Sequence, residues 1–124
     1  MTEEIKSFIQ KDETARRMVV FAEQLAIDIK DISTSQIRNA YGTVKKLEMQ
    51  REFTEKSYRE LLLLKPKLAY ARGRSENKKK NFEKLEDALS AAIDAVDVKE
   101  PETFKRFCNF FEAILAYHKA HGGK

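Results

Sequence analysis

The chain is poor in residues that break or staple a fold. Its 124 residues include one cysteine, two prolines, four glycines and no tryptophan. A lone Cys108 forms no intramolecular disulfide, so a reducing cytoplasm is the expected setting. So few Gly and Pro leave little material for the many turns of a β-sandwich. No apolar run approaches the roughly 20 residues of a membrane-spanning helix, and no membrane partner is expected. The opening Thr2-Glu3-Glu4 is acidic, unlike the basic-then-apolar order of a signal peptide. Gly73-Arg74-Ser75 lacks the spacing of a phosphate loop, so no nucleotide cofactor is expected.

What is present is charge, unevenly placed. Ser33 to Asn81 holds 13 Lys/Arg against 5 Asp/Glu, a net of +8, whereas each flanking segment has a net of −2. A concentrated basic stretch is the usual electrostatic footprint of a polyanion partner, because neutralised phosphates release counterions. The composition, 42% apolar and 35% charged, fits one globular domain over residues 1–124.

Periodicity is helical almost throughout, which predicts an all-α compact bundle of five to six helices. Ile5, Phe8 and Ile9 mark a short first helix. Met18, Phe21, Ala22, Leu25 and Ile29 line a second, with Asp12 as its expected N-cap. Ser33 opens the next, with Gln36 completing a capping box and Ile32 stapled to Ile37. Its core face is Ile37, Ala40, Tyr41, Val44 and Leu47. From Thr34 to Leu64 no Gly beyond Gly42 and no Pro decides between one continuous helix and two helices turning near Gln50 to Thr54. A continuous helix of about 45 Å needs a second chain to cover it, and the consequence is a helix-exchanged dimer in isolation. Pro66 ends or kinks what precedes it, and Leu68 to Arg72 forms a short helix stopped by Gly73. Ser75 to Asn81 reads as a polar connection. Phe82, Leu85, Leu89, Ala92, Ile93 and Val96 then give an amphipathic helix. Pro101 opens a last helix whose core residues are Phe104, Phe107, Cys108, Phe111, Ile114, Leu115 and Tyr117.

Candidate chemistry is thin. His118 and His121 stand three apart, but a metal needs further ligands, and a cation-favouring helix C-terminus accounts for both without one. Carboxylates are scattered among basic residues, as ion-pair partners are. No catalytic residue and no metal ligand is assigned. Tyr41, Tyr70 and Tyr117 sit at helical spacing beside apolar residues and read as core. Tyr70, among Lys67, Arg72 and Arg74, is the best placed of the three to stack on a base.

Ser33-Thr34-Ser35-Gln36-Ile37-Arg38, then Lys65-Pro66-Lys67-Leu68-Ala69-Tyr70-Ala71-Arg72-Gly73-Arg74, resembles the small subunit of type III-A CRISPR effector (Csm) complexes. Phe104, Phe107 and Phe110-Phe111-Glu112-Ala113-Ile114-Leu115-Ala116-Tyr117-His118-Lys119 resemble that family's C-terminal signature. The likeness runs from about Ile32 to Gly123, with three motifs in order. It implies a helical, non-catalytic subunit whose copies stack into an inner filament along guide RNA and target RNA, beside the backbone and large subunits. Through the motif it implies RNA contact by Arg38, Lys67, Arg72 and Arg74. Charge alone adds Lys45, Lys46, Lys65 and Lys78.

Two further readings compete. One is a scaffold whose basic middle meets an acidic protein surface, including the ends of its own copies, without nucleic acid. The other is a helix-turn-helix DNA binder, disfavoured because no short turn separates two periodic helices where a recognition helix belongs.

Overall fold

The computed structural model describes residues 1–124, and the fold is all-α. The helices are α1 (Thr2–Gln10), α2 (Ala15–Asp28), α3 (Thr34–Glu48), α4 (Glu55–Leu62), α5 (Leu64–Gly73), α6 (Lys79–Asp94) and α7 (Pro101–Ala120). Only Leu63 separates α4 from α5, so the pair is one broken element and the bundle has six. A short 3-10 turn, Glu76–Lys78, leads into α6.

The centre is α7. It buries Phe104, Phe107, Cys108, Phe110, Phe111 and Ile114, a band too broad for one neighbour, and packs against α1, α2 and α3. Phe110 was not expected among its core residues. It lies inward because α1 and α2 supply a second wall, where Phe8 and Phe21 meet its ring at 5.8 and 6.2 Å. Leu115 and Tyr117, expected in the core, are only half-buried. Cys108 is a core residue, and burial pushes its thiol up to about 12, so it stays protonated and inert.

The second helix is entered differently from the sequence expectation. Thr14, not Asp12, is its N-cap residue, and Thr14 Oγ1 donates back to Ser7 O and Lys11 O. Asp12 is drawn away by Arg106 of α7, whose Nε donates to it at 2.7 Å while another guanidinium nitrogen donates to Ile9 O. That guanidinium holds the Asp12 carboxyl below its ordinary range.

Ser33 caps α3 as expected, its Oγ accepting from Ser35 N at 3.1 Å. The reciprocal contact from Gln36 does not form, and Gln36 faces a neighbouring helix instead. The segment Thr34 to Leu64 is two helices. Thr54 and Ser57 form a capping box at the start of α4, and Ser57 Oγ also donates to Gln50. Phe53 is stacked on Phe104 with ring centroids 4.2 Å apart. These contacts pin the turn to its own chain, so the continuous helix does not form and the helix-exchanged dimer loses its premise.

Pro66 acts four residues before itself. Its missing N–H cannot reach Leu62, where α4 ends, and proline is tolerated in the first turn of a new helix. Thus α5 begins at Leu64 rather than Leu68. Gly73 is its last residue, but the left-handed backbone falls on Glu76, with φ 47°. Lys79 and Lys80, expected in a connection, form the first turn of α6.

Candidate nucleic-acid interface

Helices α3 and α5 lie side by side and leave a groove of about 200 Å³ between them. Its α3 wall carries Gln36, Asn39 and Thr43. Its α5 wall carries Lys67, Tyr70 and Arg74, with Ala40, Leu68 and Ala71 as the apolar floor. Each wall repeats the spacing i, i+3, i+7, which places three side chains on one helical stripe. The adjoining faces, Ile37, Val44 and Leu47 on α3 and Leu64 on α5, together with the floor residue Leu68, hold the two helices in the core.

The expected site residues separate into three groups. Lys67 and Arg74 are exposed in the groove and have no carboxylate partner. Lys46 is exposed and unpaired, on the side of α3 that also presents Asn39. Arg38 and Lys45 are exposed on another side of α3, well over about 90° around the helix from the groove at about 100° per residue. Lys45 pairs with Glu48 at 3.3 Å, which pushes its ammonium above the ordinary lysine range. Lys65 and Arg72 point toward α6, where they pair with Asp94 and Glu86. The Arg72–Glu86 contact is 2.9 Å, with both groups partly shielded. Lys78 lies half-buried in the 3-10 turn, away from the groove.

Tyr70 departs from its expected core role. It is 66% exposed, and the Arg74 guanidinium stands 5.6 Å from its ring centroid, a cation–π arrangement. The apolar neighbours Leu68 and Ala69 made it read as a core residue, although the cations around it already marked it as the best placed of the three tyrosines to stack on a base. The better signal was its register with Lys67 and Arg74. Tyr41 does follow expectation, half-buried with its ring edge-on to Phe111 at 5.3 Å.

The two histidines have separate environments. His121 lies 2.8 Å from Glu23, beside the C-terminus of α7. His118 is not a cation at a helix end but a fully buried residue, with Nδ1 3.4 Å from Thr34 Oγ1 and Nε2 unpartnered. Burial pushes its pKa down, so the imidazole is neutral. No three His, Cys, Asp or Glu side chains come together as a metal cluster would require. No helix is long and apolar enough to cross a membrane.

A family model described as Csm2 Type III-A matches residues 12–124. A Streptococcus thermophilus protein, named CRISPR system Cms protein Csm2, is 33% identical over 98 residues, covering 75% of each chain. No solved structure matches the chain.

Proposed function

The chain belongs to the type III-A Csm2 family, and from that premise we propose that it is the non-catalytic small subunit of a type III-A CRISPR effector complex, holding guide and target RNA by their sugar-phosphate backbone. The observation that carries this reading is the set of unpaired cations on adjacent helices, with Lys67 and Arg74 on α5 and Lys46 on α3. Arg38 extends the same positive field around α3. Cations left without carboxylates on rigid helices are poised to replace counterions along a polyanion. Lys65 and Arg72 are already satisfied by α6 and serve first to dock α5. Lys45, tied to Glu48, and Lys78, set apart in its turn, have secondary roles in binding.

Stacking of copies into an inner filament, beside the backbone and large subunits, completes the proposal. Val20 on α2 and Leu63 between α4 and α5, 64% and 51% exposed, are apolar side chains free to meet such neighbours.

The test is binding of single-stranded RNA across a range of salt. About four phosphate contacts give a log–log slope near −3. Joint replacement of Arg38, Lys46, Lys67 and Arg74 by Ala removes most of that slope and weakens binding of any RNA sequence alike. Salt-sensitive self-association that RNA leaves unchanged favours the scaffold reading instead.

A further inference from the structure

A site that held RNA by its backbone alone would need only cations. The α3–α5 groove has more: an exposed aromatic ring, two carboxamides and a hydroxyl. We propose that this groove is a pocket for one unpaired nucleobase of the bound RNA, stacked on Tyr70 with its edge turned toward Gln36, Asn39 and Thr43. The inference rests on the RNA-binding reading and adds a base contact to it.

Four observations converge. Tyr70 is two-thirds exposed on a protein whose other large aromatic rings are buried or half-buried, so its ring is not held out to serve the core. Arg74 lies over the ring and fixes it in place, while its own charge stays available to a neighbouring phosphate. Across the groove, the side chains of Gln36, Asn39 and Thr43 make no hydrogen bond within the protein. Carboxamides present a donor and an acceptor together, which is the chemistry of a base edge rather than of a phosphate. Lastly, Lys67 and Arg74 stand one turn either side of Tyr70 on the same stripe. They bracket the ring where the phosphates on both sides of a stacked nucleotide would run. A paired base inside a duplex is already stacked and hydrogen-bonded, so the ligand is an unpaired base, and stacking makes the site tolerant of its identity.

The experiment uses the full chain and a single-stranded RNA carrying one 2-aminopurine, with binding read by anisotropy. The absence of tryptophan leaves the base fluorescence free of protein background. Y70A weakens binding about 5- to 150-fold, the range for loss of one stacked base. Its salt slope stays that of the parent. Y70F, which keeps the ring, binds as the parent does, and quenching of 2-aminopurine on binding is lost in Y70A alone. On the same RNA with abasic sugars, parent and Y70A bind equally. Tyr70 is exposed, so its replacement leaves the fold intact, which a far-UV spectrum and melting point check.

Equal affinity of Y70A and parent for intact RNA overturns the base pocket, as does equal weakening on intact and abasic RNA. In either case a salt slope that still depends on Lys46, Lys67 and Arg74 leaves the backbone reading standing. Failure of the parent to bind any RNA removes both.

Discussion

At the scale of single residues, the main division is between charges left unpaired and charges that build the fold. Arg72 and Lys67 are neighbours in one motif, yet Arg72 is spent on Glu86 while Lys67 is free. Helical register explains the difference, since residues five apart on α5 face different neighbours. His118 shows a second contrast. Carried by α7 and buried against Thr34 at the start of α3, it is covered by Gly123, whose N donates to His118 O at 2.7 Å. A β-carbon on Gly123 would stand 2.2 Å from the imidazole, so only glycine fits there.

Burial lowers the His118 pKa in the folded state, while the unfolded chain keeps the ordinary value near about 6.5. The unfolded state therefore binds the proton more readily, and stability present above that pH is lost as pH falls through it. Urea midpoints measured between neutral and mildly acidic pH should fall toward acid in the parent, and the His118-dependent part of the fall should vanish in His118→Leu. An identical pH profile in both proteins would show that His118 is not the responsible group.

At the scale of elements, the decisive feature is the connection between α3 and α4. Thr54 and Ser57 satisfy the first backbone donors of α4, and Phe53 anchors the turn on Phe104. Replacing Thr54 by Ala should cost about 1 kcal/mol, the usual worth of an N-cap, and Phe53→Ala more, because it also strips the stacked ring from Phe104. Chemical denaturation checks both. Sedimentation checks the accompanying claim that the parent chain does not exchange helices at this turn. The Ser33 cap, the α6 core face and Pro101 at the head of α7 were readable in sequence, because they depend on local spacing and capping chemistry. The fate of Gln36, the inward turn of Phe110 and the exposure of Tyr70 were not. Each depends on which helices flank its own, and periodicity on one helix says which residues share a face but not what covers it.

At the scale of the whole molecule, the +8 middle segment proves to be spread over different surfaces. Lys67 and Arg74 share the groove with Tyr70 and the carboxamides of α3, and Lys46 lies on the Asn39 side of α3, while Lys65 and Arg72 are turned to α6. The core, drawn from all seven helices, holds α3 and α5 side by side and with them the groove between. On the proposed function, this face meets RNA in the assembled complex. Ultraviolet cross-linking of the complex with its guide and target RNA, read by mass spectrometry of peptides from this chain, tests it most directly. Nucleotide adducts on residues 67–74 of α5, and on the 36–46 stretch of α3 facing them, are the predicted result; adducts confined to α2 or α6, with none on α3 or α5, would contradict it.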